Sequence, residues 1–470
     1  MEKRIVWVNQ NIAWGIGTLI LLFGTGIFFT LRLRWIQLRG MPMLFRRLQK
    51  PSKQKNGISP LQALSTALAG TIGTGTIAGV AGAISMGGPG AVFWMWVCAF
   101  FGAAVKYAEI VLAVRYRKKN GKGEWIGGPM CYMREIKSRA TGAFAGCFCL
   151  FGVLASFGIG NLTQINAVWN SATEYLEAFC PSNTIPKSVF QLLVGIPLAV
   201  SVYRALSGGM QRIGRVTSYL VPWMGLLYLG LAFSVIIRYA NGIGSVGRAI
   251  VTSAFCPESV LGAGAGISIG QVIRCGVGRG IFSNEAGLGS APMAYASVDT
   301  ESPVEQGLYG VTEVFLVTGI VCTATAFTIL LPAFAGDLEI PYKQFAGAEL
   351  TIRALSLSGH KGFTDLLLLL AVTLFAFSTL LTWGAYGGRC FSELFGERYV
   401  TIYRGLFCIL ILSAPLLKSS LIWTFSDLFN ALMMFPNLIT LLLLQNKVKK
   451  LTDMAFVKRK GVEKTVGSVV

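Results

Sequence analysis

Charge is scarce in this sequence and acidic charge scarcer: Asp, Glu, Lys and Arg make up 13% of 470 residues, with 21 acidic side chains against 41 basic ones and a single histidine. A chain this poor in polar groups, with 53% hydrophobic residues, cannot clothe a soluble globular domain of its length. The lone histidine, His360, falls in a stretch expected to form an external loop, so no buried imidazole is available to serve a hydrolytic triad. Cysteine occurs ten times, but without a CxxC pair or zinc-ligand spacing; Cys98, Cys147, Cys149, Cys322 and Cys408 sit inside apolar runs and read as small fillers. The net charge of +20 does not indicate nucleic acid, because the basic residues lie between apolar runs instead of gathering on a folded surface.

What is abundant is apolar sequence in runs of about 20 residues, the length of a bilayer-crossing helix. Membrane-barrel strands would be shorter and would alternate, so the expected class is an all-α membrane protein. About 11 transmembrane helices are predicted, near 11–33, 59–86, 90–114, 142–170, 188–205, 217–239, 264–297, 306–333, 363–388, 400–417 and 421–445. The first is expected to be a retained helix, since it lacks an A-x-A cleavage site and is followed by the stop-transfer flank RLRWIQLRG. Basic residues crowd the first loop (Arg32 to Lys55), the third-to-fourth connection (Arg115 to Arg139) and the tail (Lys447 to Lys464). Placing these in the cytoplasm puts the N-terminus outside, the C-terminus inside and the lipid bilayer around the rest, as expected of a bacterial inner-membrane protein.

Two predicted spans are interrupted by glycine: the second, with AGTIGTGTIAG from Ala69 to Gly79, and the seventh, with GVGRGIFSNEAGLGSAP from Gly276 to Pro292. They stand five helices apart. The chain then divides into an N-terminal helix and basic loop (1–56), two five-helix halves of opposite orientation (57–241 and 242–446) and a basic tail (447–470). Broken helices at matching positions of inverted halves point to the midplane site of a secondary transporter, whereas one glycine-rich helix alone would read as a packing face.

Unwinding frees carbonyls for a cation and N–H groups for an anion, and glycine permits the dihedrals required. An amino acid zwitterion suits such a site, its carboxylate at a half-helix N-terminus. Thr71, Gly73, Thr74 and Thr76 are the candidates in the second span, although a threonine hydroxyl in a helix also bonds its own preceding carbonyl. In the seventh, Ser283, Asn284 and Glu285 lie among glycines with Arg279 just before them. Glu285 either forms a structural ion pair with Arg279 or meets a ligand, and the residues leave both readings open. Asn161, Gln164 and Asn166 in FGIGNLTQINAV offer amides for a ligand or for interhelical hydrogen bonds. Ser378 and Thr379 offer the hard oxygens sodium prefers, and Trp383 one turn on either caps a small pocket or fills a core. Lys106 and Glu109, a turn apart, are expected to pair with each other outside any site.

Two enzyme-like strings fail on context. Gly73 to Ala78 matches G-x-G-x-x-A, but no acidic residue follows before Glu109. Gly266 to Gly270 matches G-x-S-x-G around Ser268, but no buried base accompanies it, leaving an intramembrane serine hydrolase as a remote alternative. A channel, the other alternative, would show pore-lining rings of like residues.

In these same residues the sequence resembles the alanine/glycine:cation symporter family. The resemblance rests on LSTALAGTIGTGTIAGVAGAI, GGPGAVFWMWV, KYAEIVLAVRYR, FGIGNLTQINAV, GRGIFSNEAGLGSAP, EVFLVTGIVCT and LFAFSTLLTWGAYG, spanning about Leu64 to Gly387. It implies a leucine-transporter-type 5+5 inverted repeat preceded by one extra helix, no catalysis and no cofactor. It further implies import of alanine or glycine, in L or D form, coupled to sodium; a proton-coupled or uncoupled permease for another small neutral amino acid is the alternative. The family's substrate residues correspond to the backbone around Thr71 to Thr76, to Gln164, to Ser283 and Asn284, and to Trp383. Its sodium site corresponds to carbonyls near Ala69 and Ile72 with Ser378 and Thr379. Two positions depart from the family pattern: Thr76 stands where asparagine is usual, and Val317 stands before Thr318 where aspartate is usual.

Overall fold

The computed structural model describes residues 13–48, 57–121, 123–136, 139–179, 187–257, 267–342, 347–357, 363–414, 417 and 419–467; His360, Gly266 and residues 49–56 of the basic loop lie outside them. The apolar runs become helices because backbone amides in hydrocarbon find hydrogen-bond partners only within the segment. In chain order they are α1 (Ile16–Arg32), α2 (Pro60–Thr71), α3 (Thr74–Gly87), α4 (Gly90–Arg115), α5 (Pro129–Arg134), α6 (Arg139–Phe157) and α7 (Thr163–Phe179). Then follow α8 (Lys187–Ser207), α9 (Gly209–Arg238), α10 (Ile243–Phe255), α11 (Ile269–Asn284), α12 (Pro292–Tyr295), α13 (Pro303–Val314) and α14 (Thr323–Ala335). The last are α15 (Ala348–Ser356), α16 (Phe363–Phe395), α17 (Val400–Ser413), α18 (Ser419–Leu443) and α19 (Gln445–Gly467).

Each predicted span holds helix among the described residues, but fewer than eleven are there long and apolar enough to cross a bilayer. Six do so among the described residues: α4, Thr141–Thr173, α9, Pro303–Ala335, Thr364–Phe395 and Leu421–Leu443. Two bent pairs, Ile16–Arg32 with Ile36–Leu44 at 55° and Pro60–Thr71 with Gly75–Gly87 at 43°, raise the number to eight. The other three expected spans correspond to α8, whose apolar stretch is Leu192–Ser207, to the short α17, and to α11, which is short and carries Gln271, Arg274 and Arg279. Segments expected as loops also hold helix: α10, α15 and, in the basic tail, α19.

The N-termini carry the caps that helix starts need. Ser59 and Gln62 form a reciprocal capping box at α2, and Ser302 caps α13 by accepting from Glu305 N–H. Ser268, the hydrolase-like serine, is an exposed N-cap of α11, its Oγ accepting from Gln271 N–H at 3.3 Å. It is a helix-start residue and not a nucleophile.

The helix α4 runs through the centre, 78% of its apolar window buried, packed against α11 and α13. The helix α9 is peripheral, only 28% of its window buried, and Tyr219, Trp223, Leu226 and Ile237 point outward from it. Such an apolar exterior has its solvent in lipid. The strands β1 (Lys118–Lys119) and β2 (Trp125–Ile126) form a small antiparallel ribbon between α4 and α5.

Candidate functional site

Two breaks meet in the middle of this bundle. The helix α2 stops at Thr71, Ile72 (φ −82°, ψ 87°) and Gly73 (φ −146°, ψ −154°) run extended, and α3 restarts at Thr74 with no side-chain cap on its first turn. A Cβ on Gly73 would lie 2.5 Å from Thr379 Oγ1 and 3.3 Å from Gln164 Oε1, so glycine is what lets α16 and α7 close on the break. The second break follows Asn284, where Glu285 adopts a left-handed conformation (φ 54°, ψ 21°) and Asn284 Oδ1 accepts from Ala286 N–H at 3.0 Å. At Gly289 (φ 81°) a Cβ would lie 2.6 Å from Pro129, which excludes other residues doubly. The two broken segments touch directly, Ser283 Oγ donating to Gly75 O at 3.3 Å.

Of the residues expected at a cation site, Ala69, Ser378 and Thr379 converge. Thr379 Oγ1 donates to Ala69 O at 2.9 Å and Ser378 Oγ to the same carbonyl at 3.3 Å, all three buried. Ile72, the fourth, ends the turn, its N–H bonded to Leu68 O at 2.7 Å. The structure adds Thr382, which sequence reasoning missed: its Oγ1 donates to Thr66 O and Ser378 O, both at 3.1 Å, and so tethers the unwinding end of α2 to α16.

The expected substrate residues divide. Gly73, Gln164 and the backbone of Thr74 surround the first break. The hydroxyls of Thr71 and Thr76 instead fold back on their own chain, Thr71 Oγ1 to Ala67 O at 3.0 Å and Thr76 Oγ1 to Gly73 O at 2.8 Å, as threonine does where it competes with helix hydrogen bonds. Gln164 Nε2 donates to Ile159 O at 2.9 Å within a π-helical segment, Gly158–Leu162, between α6 and α7. Asn161, from the same segment, donates to Phe407 O at 2.7 Å, an interhelical bond; Asn166 is buried beside Asn170. Ser283 Oγ also donates to Arg279 O, and Asn284 Nδ2 donates to Thr318 Oγ1 at 3.3 Å. Thr318 lies in a second π-helical segment, Phe315–Cys322, beside the fully buried Val317. Single π turns interrupt the helical ladder and recur at functional positions, and apolar periodicity gives no warning of them.

Two pairings suggested by the sequence are corrected. Arg279 does not pair with Glu285 but forks onto Asp427 of α18 at 3.1 and 3.3 Å, because the left-handed turn at 285 carries the glutamate past the helix end and away from it. Glu285 accepts instead from Trp383 Nε1 at 3.0 Å and from Ser290 Oγ, so Trp383 both fills core and latches the second break. Lys106 does not pair with Glu109 but reaches Glu313 on α13 at 3.1 Å, while Glu109 accepts from Asn437 on α18. Lys106, Glu109 and Glu313 are all fully buried. An acidic residue inside an apolar run was the available signal for Glu313 and Asp427.

Below Trp383 a cavity of about 430 Å³ opens at the bundle end that holds the ribbon, lined by Ile58, Trp125, Met293, Ser297, Gly384 and Arg389. Beside it, Arg117 donates to Val298 O and Thr300 O and stacks on Trp125, tying the end of α4 to the chain after α12. Arg117 is held below the usual guanidinium range because burial disfavours its charge, opposed by nearby Asp299.

A bundle with two facing broken helices and a cluster of hard oxygens at one break is the architecture of a secondary transporter. Comparison with solved structures agrees: the fold superposes on MhsT in complex with L-phenylalanine with a TM-score of 0.57 at 15% identity, covering 86% of this chain and 99% of that one, and is of the leucine-transporter type. Among curated proteins, an uncharacterized transporter of Haemophilus influenzae is 40% identical over 97% of both chains. The sodium/alanine symporter AgcS of Methanococcus maripaludis is 40% identical over 93% of this chain and 94% of its own. The model of the sodium:alanine symporter family matches residues 1–467. The chain belongs to the sodium:alanine symporter family, a family of multi-pass membrane transporters and not of enzymes.

Proposed function

We propose that this chain imports alanine or glycine by sodium symport, alternating access around the breaks at 72–73 and 285–291. The observation that carries the reading is the convergence of Ala69 O, Ser378 Oγ and Thr379 Oγ1 beside Gly73, since hard oxygens clustered at an unwound helix suit a sodium ion. Each hydroxyl donates to the carbonyl here and keeps lone pairs, so turning its hydrogen aside frees an oxygen for the ion. The substrate's carboxylate faces the uncapped first turn of α3, where N–H groups and the helix dipole favour an anion, with Gln164 alongside. The amide of Asn284, at the end of α11, supplies an oxygen for the ammonium.

The two five-helix halves run from 57 to 241 and from 242 to 446, and the basic loops set the N-terminus outside and the C-terminus in the cytoplasm of the inner membrane. In that orientation the cavity below Trp383 faces the cytoplasm. One sodium moving inward across about 100 mV contributes roughly 2.3 kcal/mol, about fifty-fold accumulation of a neutral substrate before any sodium gradient is counted. The test is uptake of labelled L-alanine, D-alanine and glycine into proteoliposomes under an inward sodium gradient, an inward proton gradient or neither. Saturable uptake under sodium alone is expected; uptake equal in all three conditions refutes coupling, and no uptake of any of the three substrates refutes the substrate class.

A further inference from the structure

Among the described residues three carboxylates and one ammonium are almost completely buried in this bundle. Glu109, Glu285, Glu313 and Lys106 are each exposed by no more than 1%, and Lys106 lies within electrostatic reach of all three acids. With every group ionised the cluster carries two uncompensated negative charges in a low-dielectric interior, which costs several kcal/mol per charge unless a cation or proton balances them.

Hydrogen bonding distinguishes the acids. Glu313 accepts on both oxygens, from Lys106 Nζ at 3.1 Å and Tyr295 OH at 3.0 Å. Glu285 also accepts on both, from Trp383 Nε1 and Ser290 Oγ. These donors suit the ionised forms. Glu109 accepts on Oε1 from Asn437 Nδ2 and lies against the Gly287 backbone amide of the second break; its buried Oε2 has no partner within hydrogen-bonding geometry. The hydroxyl of Tyr386, packed edge-on to Trp383 and close to Glu285 and Glu313, is also buried with no partner.

We infer that Glu109 is a proton-binding site of this carrier, distinct from the Ala69–Ser378–Thr379 oxygens, and that its protonation state is tied to the position of the second break. The tie is Asn437, whose amide donates both to Glu109 and to Gly287 O at 2.9 Å and accepts from Tyr132 OH. A proton from bulk water converts the Glu109 carboxylate to the neutral acid and weakens the bond from one Asn437 N–H, so the amide whose other N–H holds Gly287 O loses its charged anchor. The titratable and charged groups facing Glu109 are Lys106 on its own helix, Glu313 on α13 and Tyr132 on α5; Asn437 on α18 and the Gly287 backbone are neutral. Lys106 is engaged by Glu313, so the proton falls to the acid with the open oxygen.

The inference rests on the symporter reading only for its transport arm. A carbodiimide that modifies protonated carboxyls in apolar surroundings labels Glu109 of the intact detergent-solubilised protein, read by peptide mass spectrometry, more at about pH 6 than at about pH 8.5; no label at either pH overturns the proposal whatever the protein transports. In proteoliposomes, sodium-driven uptake by the parent changes about tenfold per pH unit on one side of its midpoint, while Glu109→Gln flattens that profile toward a ratio of 1. Glu109→Asp retains a titrating profile with a displaced midpoint, which separates proton binding from simple loss of structure. An unchanged pH profile in Glu109→Gln overturns the proposal, as does a variant whose only change is a raised sodium half-saturation, which would make Glu109 a sodium ligand.

Discussion

Removing one hydroxyl tests the sodium cluster most directly. Thr379 is 1% exposed, and its Oγ1 lies 2.9 Å from Ala69 O, closer than Ser378 Oγ at 3.3 Å. Thr379→Val keeps the branched shape, so no cavity opens and the effect is confined to the lost oxygen. Leaving a buried carbonyl under-satisfied costs about 1–3 kcal/mol, and the same range lost from ion binding raises the sodium half-saturation about 5- to 150-fold. Thr379→Ser restores the oxygen and is expected within about threefold of the parent. The assay is alanine uptake into proteoliposomes at graded external sodium and saturating substrate, with equal amounts of monodisperse protein. A Thr379→Val carrier with the parental sodium half-saturation and maximal rate refutes the assignment of these oxygens to the ion.

Three further outcomes follow from contacts already described. Gly73→Ala drives a Cβ to 2.5 Å from Thr379 Oγ1 and is expected to reduce uptake more than about tenfold, whereas Gly24→Ala, with no neighbour within 4 Å, leaves uptake and thermal stability unchanged. Lys106→Met strands Glu313 in the interior and lowers stability by about 3–5 kcal/mol, and pairing it with Glu313→Gln recovers part of the loss; thermal unfolding in detergent reads both. Val317→Asp buries a carboxylate one residue from the Thr318 hydroxyl that holds Asn284, so the sodium and pH dependence of uptake changes relative to Val317→Asn, which adds the shape without the charge. Identical dependences in the two variants would show that the charge at this position is irrelevant to coupling.

The helical class, the membrane setting and both breaks were legible in the sequence, since each depends on local composition. Apolar runs must be helical in lipid, and glycine in AGTIGTGTIAG and SNEAGLGSAP marks where the helix can be interrupted. The convergence of Ser378 and Thr379 on Ala69 was reachable only through the family resemblance, because 309 and 310 residues separate those partners in the chain. The π-helical segments were not legible, because one extra residue in a turn leaves apolar periodicity almost unchanged.

Charge pairing was decided by tertiary structure alone. Proximity in sequence suggested Lys106 with Glu109 and Arg279 with Glu285, yet each cation reaches across to another helix, to Glu313 and to Asp427. The physical reason is that residues a turn apart on one helix compete with partners that packing brings from outside. In an interior without water, a buried charge takes whichever geometry satisfies the most donors and acceptors together. The sequence by itself determined that this chain crosses a membrane in helices and breaks two of them; only the assembled bundle decided which oxygens face an ion, where the hydroxyls of Thr71 and Thr76 turn, and that Glu109 keeps one oxygen open.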